Sequence, residues 1–436
     1  MLKGIENIGQ IPELRKRIFF TLFMLAVFRI GVQIPTPGID IAALSAFFAR
    51  AQGTLFGIFD MFSGGALENF SILSLGVMPY ISASIIFQLL TVAIPQLEAL
   101  KKEGESGRKK ISQYTRYATV GLSFFQGFGM AIALEGMTSP NGAPVVMDPG
   151  WSFRIITAIT LMSGTIFLMW LGEQITERGI GNGISLIIFA GIVARMPSAI
   201  INTARLVRTG DLALPLMVLL IVMMLAVVGF ICFVERSHRR IPIQYAKRVV
   251  GRRVYGGQST HLPLKVNTAG VIPPIFASSI MLFPATIVNF VQVPWMQDVA
   301  QSLSPGSIIY EAVFVALIIF FAYFYTAITF NPVDISDNLK KNGGYVPGIR
   351  PGKKTTEFID RILTRLTLIG AIYIAFICVM PSVLISNFNV PFYFGGTALL
   401  IVVGVAMDTM SQIESHLITR NYEGFMKGAR LKGRRG

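Results

Sequence analysis

Runs of about 20 apolar residues dominate this chain, and that is the length a helix needs to cross the hydrocarbon core of a bilayer. One of them, ALPLMVLLIVMMLAVVGFICFV at 213–234, holds no charged residue. In lipid an unpaired backbone N–H or C=O finds no water, so such a run must fold as a helix. Ten spans are read, at about 18–34, 75–94, 117–135, 155–172, 184–204, 213–234, 268–290, 308–330, 366–386 and 392–410, each limited by charges or Gly/Pro clusters. Only 14% of the 436 residues are charged, against ~25% in a soluble globular chain. The fold class implied is all-α: a polytopic membrane protein of ten transmembrane helices. A further apolar segment, GTLFGIFDMFSGGALENFSILS (53–74), is broken by Asp60, Gly64, Gly65 and Glu68. It reads as a re-entrant or half helix sheltered by protein. No small-residue cleavage site follows the first apolar run, so the first span is expected to stay in the mature protein.

The charges sort by side of the membrane. Alternating loops and the two tails hold 32 of the 38 Lys and Arg residues, while the opposite side holds Arg50, Arg195, Arg205 and Arg208. The positive-inside rule therefore places both termini and the long loops in the cytoplasm. Orientation alone explains the short basic loops but not the two longest. The loop at about 235–266 carries Arg236, Arg239, Arg240, Lys247, Arg248, Arg252, Arg253 and Lys265; the loop at about 331–365 adds Lys340, Lys341, Arg350, Lys353 and Lys354. Surfaces of this kind suit anionic lipid headgroups, RNA or an acidic soluble protein.

An internal repeat constrains the fold further. GVMPYISASII (76–86) and GVIPPIFASSI (270–280) agree at seven of eleven positions, and Gly183, Leu186, Ile188 and Gly191 recur at the same spacing as Gly396, Leu399, Ile401 and Gly404. Spans two and five thus correspond to spans seven and ten. The chain divides into halves, 1–210 and 211–436, of five spans each; five is odd, so the second half runs through the membrane in the opposite sense. Such inverted repeats place a pathway between the halves, lined by the equivalent helices. At mid-depth these helices present Ile81, Ile85, Ile188, Ile192, Ile275 and Ile401. Apolar helix positions usually mean packing, but the repeat sets Ile81 against Ile275 and Ile188 against Ile401, as a shared ring would require. A ring of branched apolar side chains seals against ions by dewetting.

Little here suggests enzyme chemistry. No Asp, Glu, Lys or His sits at the middle of spans two, five, seven or ten, which removes the usual apparatus of proton or sodium coupling. A secondary transporter, the main alternative with inverted repeats, is weakened accordingly. The GIGNG loop (179–183) lacks the preceding strand and the Lys-Ser/Thr ending of a phosphate loop. His238, His261 and His416 show no ligand spacing, and Cys232 and Cys378 both lie in apolar runs. No cofactor or metal is expected.

Several segments together closely resemble the SecY family, the channel subunit of the bacterial Sec translocon: KKEGESGRKKISQYTRY (101–117), GEQITERGIGNGISLIIFAGIVA (172–194), GRRVYGGQSTHLPLKVN (251–267), GVIPPIFASSI (270–280), GYVPGIRPG (344–352) and VPFYFGGTALLIVV (390–403). The resemblance implies a two-halved clamshell that passes unfolded preproteins across the cytoplasmic membrane and releases apolar segments into lipid. By it, the six isoleucines form the pore ring. Asp60, Met61, Phe62, Ser63, Gly64, Gly65, Ala66 and Leu67, within a segment of about 60–73, correspond to the plug. Ser82, Ser84, Gln88, Ser278 and Ser279 become candidates for the lateral gate, and Arg252, Arg253 and Arg350 for docking of a motor or ribosome. The implied partners are the small membrane subunits SecE and SecG, the motor ATPase SecA, the translating ribosome, signal-sequence-bearing preproteins and anionic lipids. Arg195, in VARMP, departs from the small residue more usual in the family; a cation there is expected to snorkel or to face a wet funnel.

Overall fold

The computed structural model describes residues 12–45, 60, 63–137, 144–210, 214–245, 248–250, 253–255, 259–290, 307–388 and 396–428. Helices occupy all ten expected places: α1 (Pro12–Val32), α2 (Met78–Ala93) with the short α3 (Pro95–Lys102), α4 (Glu105–Glu135), α5 (Trp151–Arg178), α6 (Gly183–Val193) continued by α7 (Met196–Thr209), α8 (Leu214–Arg236), α9 (Ile272–Phe290), α10 (Ile308–Thr329) with α11 (Pro332–Lys341), α12 (Lys353–Phe388) and α13 (Gly396–Gly428). Among the described residues seven helices are long and apolar enough to cross a membrane, and an eighth is the bent pair α2–α3. α8 leaves Leu214, Val218, Leu225 and Phe233 exposed on its surface, a face suited to lipid or to a partner helix.

Several helices outrun their apolar spans. α4 starts at Glu105, α12 at Lys353, and α13 runs on to Gly428, because charged residues of good helical propensity extend a helix into water once the apolar part has nucleated it. The second span ends abruptly instead. Pro95 forces the residue before it out of the helical region, so Ile94 is extended (φ −108°, ψ 114°) and α3 leaves α2 at 98°. The fifth span is likewise broken, between α6 and α7, at Ala194 and Arg195.

The chain is mostly helical, as expected, and two of its loops add short strands. The basic loop after α8 forms β1 (His238–Tyr245), β2 (Arg248–Val250), β3 (Arg253–Tyr255) and β4 (Ser259–Lys265), and the next large loop adds β5 (Gly344–Tyr345). β1 is central, antiparallel to β4 on one side and to β5 on the other. Ile241 and Ile243 alternate with exposed neighbours along β1, the period-two pattern of a half-buried strand. That face covers a small core of Ile241, Leu264, Val346, Ile359 and Leu363.

The chain forms two compact units. One comprises Met1–Asn202, Leu282–Ser304 and Val405–Gly436; the other comprises Thr203–Met281 and Pro305–Gly404, so α7, α9 and α13 contribute residues to both. In the first, α4 and α5 lie side by side and are tied near both ends. Arg116 Nε donates to Glu173 Oε1 at 2.8 Å, and Arg154 Nε and Nη2 donate to Glu135 Oε2 at 2.9 and 2.6 Å. A buried cluster of Ile39, Leu44, Leu67, Phe70, Leu134 and Phe153 lies beside these helices. In the second unit α10 runs along α12, and the sheet stands on α11 and the start of α12.

The repeat is visible in the backbone. Gly76 (φ 57°) precedes α2 and Gly270 (φ 63°) precedes α9, left-handed positions that glycine reaches without strain. Each helix then starts with a proline in its first turn, where a missing N–H costs nothing. α6 and α13 both begin on glycine: a Cβ on Gly183 would collide with the carbonyl oxygen of Gly172 in α5, and one on Gly396 with that of Ile377 in α12.

Candidate functional site

The broken apolar segment folds into a compact turn within the first unit. Asp60 and Ser63 are helical and residues 64–70 are turns; Met61 and Phe62 lie outside the described residues. Gly64 (φ 73°) and Gly65 (φ 86°) supply the left-handed turn. Asp60 organises it: its Oδ1 accepts from the backbone N–H of Leu67 at 3.0 Å and of Glu68 at 2.9 Å. The next residues are pinned to the loop after α1, where Thr36 N donates to Phe70 O at 2.9 Å and Ile72 N to Ile34 O at 3.0 Å. Asp60, Ser63, Ala66 and Leu67 are buried.

Three side chains or backbones hold this turn from outside. Gly64 comes so close to α6 that its Cβ would stand 2.7 Å from Gly191 Cα. Arg29, in the last turn of α1, donates to Gly64 O at 2.9 Å. Arg195 lies in the break between α6 and α7, and its Nη2 pairs with Asp60 Oδ2 and, at 2.8 Å, with Glu68 Oε2. The snorkelling expectation for Arg195 gives way to an ion-paired one, since two carboxylates lie within reach. Sequence reasoning missed this contact. The signal available was a cation on the side otherwise poor in Lys and Arg, together with two acids in an apolar segment.

All six isoleucines are buried, from 0% exposed for Ile401 to 7% for Ile275. Ile81 and Ile85 lie on α2, and Ile188 and Ile192 on α6, within the first unit; Ile275 on α9 and Ile401 on α13 belong to the second. Ile188 and Ile192 flank Gly191, so the turn at Gly64 rests on the same stretch of α6.

The candidate gate residues separate by chemistry. On α2, Ser82, Ser84 and Gln88 are half-buried, and Gln88 Nε2 donates to Ser84 Oγ at 3.2 Å. Gln88 Oε1 is shielded from solvent with no partner. On α9, Ser278 and Ser279 are buried and both donate to Ile275 O, at 2.9 and 2.8 Å. Each helix leans on its neighbour through an aromatic pair: Phe87 of α2 stacks on Tyr114 of α4, and Phe276 of α9 meets Phe321 of α10 edge to face at 5.6 Å.

The two long basic loops meet in the sheet, through Gln244 opposite Tyr345 and Tyr245 opposite Gly344. Arg239, Arg240, Lys265, Lys340, Lys341, Lys353 and Lys354 are exposed on this body. Arg350 has an exposed side chain on a fixed backbone, because Thr355 Oγ1 donates to Arg350 O at 2.9 Å and Ile349 N to Val346 O at 3.0 Å. Arg253 falls in β3, and Arg252 lies outside the described residues. The GIGNG loop is structural: Ile180 N donates to Thr21 Oγ1, Gly181 N to Gln412 Oε1 and Gly183 N to Thr176 Oγ1.

Comparison with known proteins agrees with this architecture. The SecY family model matches residues 71–410. The chain is 54% identical over 429 residues to the protein translocase subunit SecY of Escherichia coli (strain K12), covering 98% of this chain and 96% of that one. It is 48% identical over 428 residues to the subunit of the same name in Aquifex aeolicus (strain VF5), covering 98% and 100%. Among solved structures it is similar to a protein-conducting channel with TM-score 0.66 at 17% identity, covering 98% of this chain and 99% of that one. It is also similar to Sec61 in the canine ribosome–channel complex from the endoplasmic reticulum, with TM-score 0.62, 17% identity and the same coverage, a likeness of fold. On the sequence match over nearly its whole length, the chain belongs to the SecY family.

Proposed function

We propose that this protein is the protein-conducting channel of a Sec translocon, passing unfolded preproteins across the bacterial cytoplasmic membrane and releasing apolar segments sideways into lipid. The observation that carries the reading is 54% identity, over 98% of the chain, to a relative named as a protein translocase subunit. The charge distribution supports cytoplasmic termini and a cytoplasmic basic sheet, which leaves the turn at 60–70 on the outer side.

In this reading the channel has two barriers in series. The six isoleucines form a gasket: narrow and apolar, it dewets when empty and excludes ions, yet its side chains yield to a passing polypeptide. The turn at 60–70 is the plug over its outer side. Ser82, Ser84 and Gln88 of α2, with Ser278 and Ser279 of α9, line a lateral seam. A signal sequence that binds the open seam more tightly than the closed one shifts the equilibrium by that difference in affinity. SecE and SecG brace the halves, and anionic lipids lie against the basic loops. SecA or a translating ribosome docks through Arg350, Arg252 and Arg253. The energy comes from those partners and not from a reaction on this chain. A secondary transporter is disfavoured by the lack of ionisable side chains at mid-depth of the equivalent helices.

The test is reconstitution of the purified protein with SecE and SecG in sealed vesicles, with SecA, ATP and a preprotein, followed by external protease. Preprotein protection that requires ATP and is lost in detergent is expected. No protection, with the same partners active on a known translocon, overturns the channel reading.

A further inference from the structure

The turn at 60–70 is held by more charge than its fold requires. Asp60 Oδ1 already caps the N–H groups of Leu67 and Glu68, which is sufficient to close the turn. Its second oxygen points away from those amides and pairs with Arg195, whose Nη2 also reaches Glu68. The Arg195 side chain is 33% exposed, Glu68 is 42% exposed and Asp60 is 4% exposed. The Asp60 arm is therefore the stronger, since a shielded charge pair is screened less than a solvated one. Arg195 belongs to the break in the fifth span, which α6 connects directly to Ile188 and Ile192. One cation thus joins the tip of the turn to the helix that carries two of the ring isoleucines.

We propose that Arg195 is a positioning residue for gating: a latch that holds the 60–70 turn closed against α6 by pairing with Asp60 and Glu68. The latch is distinct from the apolar seal, since it sets how easily the turn departs and not how tightly the ring closes. It also gives the opening step a definite chemistry. When the turn moves off, Arg195 and both carboxylates must exchange each other for water, and a partly wet site makes that exchange reversible. Arg29, itself a cation, remains as a second tether through the neutral acceptor Gly64 O. The proposal rests on the reading of this turn as a plug.

The test uses the full chain with its small partner subunits, with Cys232 and Cys378 replaced by serine and Ser63→Cys introduced as a reporter. Two quantities are read: the labelling rate of residue 63 by a charged maleimide, and resting ion conductance in planar bilayers. With Arg195→Gln, labelling is expected to rise about tenfold, the scale of one lost charge-assisted contact, and conductance to rise by less, since the ring still closes. Asp60→Asn with Glu68→Gln keeps a side-chain Oδ1 at position 60 to accept from the amides of residues 67 and 68 and is expected to match Arg195→Gln, while the triple variant adds nothing. Arg195→Lys restores most of the protection. Unchanged labelling in Arg195→Gln, or additive effects in the triple variant, overturns the latch. Raised labelling at unchanged conductance upholds the latch and leaves ion exclusion to the isoleucine ring, the other barrier in series. Monodisperse elution of every variant shows that the fold is intact.

Discussion

The two copies of the repeat use one backbone plan and load it differently. In both, a left-handed glycine leads into a helix with proline in its first turn, and a second helix is seated on its predecessor through its first glycine. The copies then part. In the N-terminal copy Gly191 receives the backbone of Gly64; its counterpart Gly404 receives the side chain of Val271. Arg195 follows Gly191 by four residues, and Asp408 stands in the same register after Gly404. The helix that breaks to present a cation in one copy continues through an acid in the other. Helix seats are thus duplicated, while what each seat holds is specific to its copy.

This difference can be broken at several points. The largest effect is expected at the seats. Gly183→Ala and Gly396→Ala each drive a Cβ into a backbone carbonyl, which cannot swing aside as a side-chain tip does. Each variant is expected to lose about 3 kcal/mol, read as a lower thermal transition in detergent; a loss at only one site ends the equivalence. Arg350→Glu is next, acting on the sheet that lies in the second copy. SecA-driven transport is expected to vanish while the protein remains folded in the membrane, and normal transport removes Arg350 from the docking site. Ile188→Asn and Ile401→Asn probe the ring from both copies, and raised resting conductance is expected from each; a tight Ile401→Asn channel restricts the seal to the N-terminal copy.

Smaller effects sharpen the contrast between the glycines. Gly64→Ala meets Gly191 Cα at 2.7 Å in a left-handed conformation, so about 2 kcal/mol is expected. Gly404→Ala meets only the Val271 methyl and is expected to cost about 1 kcal/mol or less; equal melting shifts refute the distinction. The smallest effect belongs to Lys102→Ala. It removes an exposed i,i+4 pair with Glu98 and is expected to change stability by less than about 0.5 kcal/mol.

Apolar length and repeat register made most of the membrane architecture readable, because lipid admits few ways of satisfying a backbone. Span ends were less legible. Glu105 and Lys353 begin helices in water, where propensity and not apolarity decides. The sheet was missed for a related reason: HRRIPIQY has only two buried positions, and its partner β5 is two residues long and lies about 100 positions away in sequence. The Arg195 contact was hidden because no local pattern tells which distant acid a cation meets. The isoleucines were singled out by symmetry and not by composition, and all six are buried.

The pairing of β1 with β5 has a mechanical consequence. A strand from the loop after α8 and a strand from the loop before α12 share hydrogen bonds, and their side chains share one core with α11 and α12. A push on Arg350 is therefore not absorbed by bending a single loop. The sheet behaves as a yoke, and the load divides among the roots of α8, α10 and α12.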